Sequence, residues 1–175
     1  MKSTLIDVIW DRLSRIVRLE FQASSGATSG THWQGRGSAE VRTESTASAI
    51  RFFESGRFLP GASSTPTSVR NVYLWQREGQ ALLLSHERLG RESGVFLLRF
   101  TQTGREWTDP EPMDLDGTST KRTGPDRETL QSSEPHRCGQ DRYRATLRLT
   151  EDGIRLDWTV TGPHKDERLV QHYAT

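Results

Sequence analysis

Residues 143–162 read YRATLRLTEDGIRLDWTVTG. Apolar and polar side chains alternate on both sides of Asp152-Gly153, a pair favoured where both turn residues need positive φ. A two-residue turn at that pair sets a register. Leu149 then faces Leu156, Leu147 faces Trp158 and Ala145 faces Val160. On the other face Arg148 meets Asp157 and Thr146 meets Thr159. One face is apolar. The other carries an opposite-charge pair and a threonine pair, each a modest contribution to an antiparallel ladder. Turn, alternation and pairing agree, so the stretch reads as a β-hairpin with one buried face.

The same alternation recurs outward from this hairpin. In residues 16–23, Val17, Leu19, Phe21 and Ala23 alternate with Arg18, Glu20 and Gln22. In 32–44, Trp33, Gly35, Gly37, Ala39 and Val41 share a face, and glycine at alternate strand positions points to close backbone approach or a sharp bend. A phosphate-binding loop at Gly35-Arg36-Gly37 is the poorer reading, because no helix start follows it. Residues 47–54 and 69–76 read as strands, with a Gly/Pro/Ser-rich loop over 55–68. Residues 81–88 and 95–101 form a further hairpin, and 129–138 holds a weak strand. The polar segment 102–135 is long for a compact domain and reads as an insertion or as a lid gating the barrel mouth. Residues 169–173 are a closing strand of undecided parity: Leu169 and Tyr173 share one face, Val170 and His172 the other. Near the start, Thr4 and Asp7 form a capping box for a short helix whose Ile6, Ile9, Trp10 and Leu13 share a face and cap a barrel end. About eight to ten short strands with turns between them predict a single antiparallel barrel, one domain over residues 1–175.

Composition limits the function classes. The chain has 175 residues, 32% hydrophobic and 27% charged, which suits a barrel with a wet outer face. A net charge of +1 without a basic run argues against nucleic acid as a partner. Cys138 is the sole cysteine, so no internal disulfide forms. No apolar run reaches bilayer length, and Asp7 and Asp11 interrupt any signal-peptide core, so a cytoplasmic protein with no membrane partner is expected.

Candidate site residues follow from the strand faces. Tyr73 and Trp75 share a face beside Asn71, and with Tyr143 and Trp158 they read as the wall of a small-ligand cavity. The competing reading is a filled barrel in which these aromatics touch. His136 and Asn71 are the expected polar groups of the cavity. His136 and Cys138 lie on one strand face about 7 Å apart, long for a nucleophile–base pair. No second His/Cys pair completes a zinc site, so no metal is expected. A buried packing cysteine, a hydrogen-bonded histidine and Asp141 capping the turn at Gly139 are the simpler reading. Lys165-Asp166 reads as a turn. Glu54 is the best candidate for a buried carboxylate if it points inward, although a solvated strand end is favoured.

Several motifs occur in one order: Trp33-x-Gly35-x-Gly37-x-Ala39, Glu54-x-Gly56, Tyr73-x-Trp75, His136-x-Cys138-x-x-Asp141-x-Tyr143, and Trp158-x-Val160-x-Gly162-Pro163-x-Lys165-Asp166. This set resembles the uncharacterised lipocalin-like domain-of-unknown-function family numbered 6314, over roughly Leu13 to Tyr173. The resemblance implies a calycin-type barrel and brings no activity. A more distant similarity is to nitrobindins, haem-holding barrels. Residues 31–37, THWQGRG, are similar to their Gly-x-Trp-x-Gly-x-Gly segment, with Thr31 at the first glycine. That similarity implies His172 as the haem ligand. The expected function is therefore binding of a small, mostly apolar ligand. The alternatives are a nitrobindin-like haem enzyme or a small enzyme using cavity histidine and carboxylate groups.

Overall fold

The computed structural model describes residues 3–87, 90–102 and 129–175. Helix α1 (Leu5–Leu13) precedes β1 (Arg18–Ser25), β2 (Gly35–Ser45), β3 (Ala49–Pro60), β4 (Thr67–Glu78) and β5 (Ala81–His86). Then come β6 (Val95–Thr101), β7 (Thr129–Ser132), β8 (His136–Cys138), β9 (Asp141–Leu149), β10 (Gly153–Gly162) and β11 (Lys165–Ala174). All pairings are antiparallel. The order β10-β11-β1-β2-β3-β4-β5-β6-β7-β9 closes on itself because β9 also pairs with β10. Strand β8 continues β7 along β9 after a shift of register. The chain is thus a closed ten-strand barrel with one short N-terminal helix, and closure satisfies the backbone groups a sheet edge would expose.

The β9–β10 hairpin keeps its apolar face but not its expected register. Leu147 pairs with Leu156, Ala145 with Trp158 and Tyr143 with Val160. The turn lies on Glu151-Asp152, with the Thr150 N–H donating to the Gly153 carbonyl at 3.1 Å. Each partner therefore moves by two positions, an even step, so Leu147 and Trp158 still share the inner face. The expected Arg148–Asp157 and Thr146–Thr159 pairs do not form. Asp157 instead accepts from Arg155 and Arg168. Gly153 is not held by a positive φ. A Cβ at that position would overlap the Tyr173 carbonyl oxygen on β11, so glycine serves close strand approach.

The loop expected over residues 55–68 is mostly wall, since β3 runs to Pro60 and β4 starts at Thr67. Phe58 is buried and stacks on Phe21 with ring centroids 5.8 Å apart. The glycine-alternating strand makes room for that stack: a Cβ on Gly37 would overlap the Phe21 ring and the Arg57 carbonyl. Close approach is the correct reading of Gly37.

Helix α1 covers one end of the barrel. Its capping box is complete, with the Thr4 N–H donating to Asp7 at 2.7 Å and the Asp7 N–H donating to Thr4 Oγ1 at 3.2 Å. Hydrogen bonds from Thr4 and from Arg77 on β4 hold the Asp7 carboxyl at about 2. Arg12 donates to the Glu151 carbonyl at the β9–β10 tip. Ile6, Ile9 and Leu13 join Ile50, Trp75, Leu82 and Leu147 in one buried core cluster. The opposite end, reached by Pro60, His86, Cys138 and Gly162, is the mouth.

Residues 103–128 of the expected lid lie outside the described residues. The flanking Thr101 pairs with Ala81, and Thr129 pairs with Arg148. Both flanks stand at the helix-covered end. Residues 129–138 supply β7 and β8, as the weak-strand reading expected. Among the described residues, no helix is long and apolar enough to cross a membrane.

Candidate functional site

The barrel interior changes character along its axis. In the helix-covered half, inward side chains are sealed: Phe52, Leu82 and Leu147 are 0% exposed and Trp75 is 1%. Trp75 lies 6.2 Å from Phe52 and 5.9 Å from Phe100, ring centre to ring centre. In the mouth half, Asn71, Tyr73, His86, His136, Tyr143 and Leu169 sit on the inner face of their strands yet are only half-buried. Solvent reaches the inner wall there.

A hydrogen-bonded chain crosses the barrel between the two halves. The Trp158 indole N–H donates to Gln171 Oε1 at 2.8 Å, and Gln171 Nε2 donates to the Tyr173 hydroxyl at 3.1 Å. Tyr173 donates to Glu54 Oε1 at 2.7 Å, and Asn71 Nδ2 donates to Glu54 Oε2 at 3.1 Å. Chemistry sets the direction. An indole nitrogen only donates, so the Gln171 oxygen accepts and its nitrogen donates, which leaves the Tyr173 proton for Glu54. Every donor in the chain is thus aimed toward one carboxyl group.

Glu54 is 3% exposed. Burial lifts its carboxyl from an ordinary 4.5 to about 7, although the bonds from Tyr173 and Asn71 pull the other way. Burial, and next the nearby Glu54 charge, raise Tyr73 and Tyr173 well above the usual tyrosine range. Both phenols are neutral at physiological pH. The Tyr73 ring packs on His86 with centroids 4.8 Å apart.

A second polar group stands at the rim. Lys165 Nζ lies 2.8 Å from Asp141 and donates to the Tyr143 hydroxyl at 3.1 Å. Those two bonds raise the Lys165 pKa, so this lysine is a cation and not a base. His136 packs edge-on to Tyr143 at 5.8 Å.

The structure gathers most of the sequence-predicted residues but sorts them into different roles. Asn71 and Tyr73 stand together on the accessible inner wall, and Trp158 supplies the first donor of the chain. Tyr143 and His136 stand at the rim. Trp75 belongs to the sealed core. His172 faces outward, because Gln171 and Tyr173 on either side of it turn inward. Its Nε2 lies 2.9 Å from Asp152 Oδ1, and it lines a groove on the outer wall with Glu20, Arg36 and Arg57. It is therefore not placed to hold a haem inside the barrel, and the nitrobindin similarity is not supported. Cys138 is exposed, not buried as expected, and Asp141 pairs with Lys165 across the rim. No group of three or more His, Cys, Asp or Glu side chains is arranged to hold a metal ion among the described residues.

The central carboxyl was read as a solvated strand end, and that is corrected. Ile50, Phe52, Glu54, Gly56 and Phe58 share one parity of β3, and the inward Phe52 already places Glu54 inside. Gln171 and Tyr173 were missed because polar tips at inner positions blurred the alternation of β11.

The sequence model of a family described as "Family of unknown function (DUF6314)" matches residues 10–175. No curated protein and no solved structure matches the chain.

Proposed function

The chain belongs to the family of unknown function DUF6314, membership that carries no activity with it, and we propose that the barrel binds a small, mostly apolar molecule in its mouth half. One observation supports this above the others. Inner-face residues are sealed at the helix end but remain solvent-accessible at Asn71, Tyr73, Tyr143 and His136. Apolar and aromatic walls with a few convergent polar groups are the usual lining of a small-molecule site. Leu169, Val160 and the Phe21–Phe58 stack supply apolar wall. Asn71, Tyr73 and the Trp158–Gln171–Tyr173–Glu54 chain supply the polar floor. A closed antiparallel barrel with one capped end is also the lipocalin-like architecture, in which binding takes place at the open end.

Native mass spectrometry of freshly purified protein tests this. A non-covalent adduct that disappears on denaturation is the expected result. If the native and denatured masses agree, and a library of small apolar compounds leaves the melting temperature unchanged, the binding reading fails.

A further inference from the structure

We propose that the ligand of this barrel carries a protonated nitrogen, seated on the cavity side of Asn71 and directed at Glu54. This deepens the binding reading above and rests on it.

The argument begins with what Glu54 lacks. A buried carboxylate normally has a cationic partner, because an uncompensated charge in a low-dielectric interior costs several kcal/mol. Here the partners are neutral: the Tyr173 hydroxyl on one oxygen and the Asn71 amide on the other. The titratable side chains facing Glu54 are Tyr173 on β11 and Tyr73 on β4, and neither becomes a cation. No lysine, arginine or histidine pairs with Glu54 among the described residues. At the rim, Lys165 is already held by Asp141 and Tyr143. Among the described residues, the ionised Glu54 is therefore left at the floor of the half-buried mouth half without a counter-charge.

The hydrogen-bond directions say what the cavity offers. Trp158, Gln171 and Tyr173 pass their donors inward to Glu54, and Asn71 gives its Nδ2 to the same carboxylate. Beyond the bond to Glu54, Asn71 keeps its carbonyl oxygen, an acceptor, and its second amide hydrogen. Asn71 is half-buried, so that acceptor is within a ligand's reach. An N–H donor satisfies it, and a positive charge on that nitrogen adds attraction to Glu54 behind it. An anionic ligand meets the buried Glu54 charge and the Asn71 carbonyl oxygen, and both repel it.

The test is a matched panel: primary amines from butylamine to tryptamine, each with the alcohol and the carboxylate of the same skeleton, titrated calorimetrically at pH 8. The expected result is amine binding at least tenfold tighter than the alcohol, with the carboxylate weakest. Lowering the pH from 8 to 6 protonates Glu54 while the amine stays charged. Amine affinity then falls roughly tenfold and alcohol affinity does not change. Glu54→Gln keeps the shape, and its melting curve verifies the fold. In it the amine preference shrinks to within about twofold and the pH dependence disappears. If alcohols or carboxylates bind as tightly as their amines, or Glu54→Gln retains the preference, the cation assignment is overturned while the barrel remains a binding protein. If no compound of any class binds and no adduct is found in the native mass spectrum, both readings fall.

Discussion

The two halves of this barrel are made from the same strands and differ in what the inner positions carry. Along β3, Ile50 and Phe52 face the helix end, whereas Gly56 and Phe58 face the mouth, with Glu54 between them. Along β4, Trp75 is sealed and Tyr73 and Asn71 are not. The helix half is filled by large aliphatic and aromatic side chains under Ile6, Ile9 and Leu13. It supplies the packed base on which the polar half is held. The mouth half gives up packing for polar groups and solvent access. Folding energy and binding chemistry are thus separated along one axis, and the Glu54 chain marks the boundary.

Truncations at each end test that separation most strongly. Trp75→Ala should cost roughly 3–5 kcal/mol, the range for removing a large aromatic from a packed core. Tyr143→Ala at the rim should cost about 1 kcal/mol or less in denaturant unfolding, since that ring is only half-buried. Equal losses would show that the mouth half is packed as tightly as the helix half.

The next effect is on pH dependence. Glu54 titrates at about 7 in the folded protein, against 4.5 for an ordinary glutamate. Between those values the folded state holds a proton that the unfolded state has released. Stability therefore falls as pH rises from 4.5 through 7, then levels off, for a total of roughly 3 kcal/mol. Glu54→Gln should abolish this slope and should be the more stable protein at pH 8. Urea unfolding of both proteins from pH 4.5 to 8 measures it, and parallel curves would mean that Glu54 is not the buried acid described.

Tyr173→Phe is a smaller intervention on the same boundary. The ring stays against Phe52, 5.5 Å away between centroids, but Glu54 loses its shortest hydrogen bond and the Gln171 amide nitrogen loses its acceptor. The expected cost is about 1–3 kcal/mol, together with a further rise of the Glu54 pKa. Carboxyl-labelled NMR titration reads that rise directly. A Glu54 pKa that does not move would remove Tyr173 from the chain.

How far the sequence foretold this architecture depends on parity. The β9–β10 hairpin was legible because its faces survive a register error of two, even though Gly153 serves strand packing and the turn lies on Glu151-Asp152. The long β3–β4 pair was under-read because Gly and Pro suggested a loop, while Gly56 in fact sits opposite Ala39 in the barrel wall. In β11, inward Gln171 made the two faces look alike, so His172 could not be assigned a side from alternation alone. Glu54 was legible from Phe52 by spacing of two, but its charge argued for solvent. Its burial is made tolerable by two partners, Asn71 on β4 and Tyr173 on β11, the latter held in turn by Gln171 on β11 and Trp158 on β10. The β3–β4 and β10–β11 pairs are far apart in sequence, so no local pattern shows that they converge.

The finest distinction between the halves lies in their two tryptophans. Trp158 donates its indole N–H to Gln171 at 2.8 Å, whereas the buried Trp75 Nε1 has no hydrogen-bond partner among the described residues. Replacing either by phenylalanine removes similar volume and leaves a small cavity, which costs about 1 kcal/mol at typical cavity penalties. The hydrogen-bond accounts then diverge. Trp158→Phe strands the Gln171 oxygen in a buried site and frees its amide to rotate, so the donor sequence toward Glu54 loses its fixed direction. That adds about 1 kcal/mol. Trp75→Phe instead removes a buried N–H that already lacked an acceptor, so part of the cavity cost is recovered. Trp75→Phe should therefore be the milder variant by about 1–2 kcal/mol in chemical denaturation, and it should leave the Glu54 titration untouched. If Trp75→Phe proves the more damaging of the two, the core at the helix end depends on the indole shape itself. The contrast between a packed half and a hydrogen-bonded half would then rest on Glu54 and Tyr173 alone.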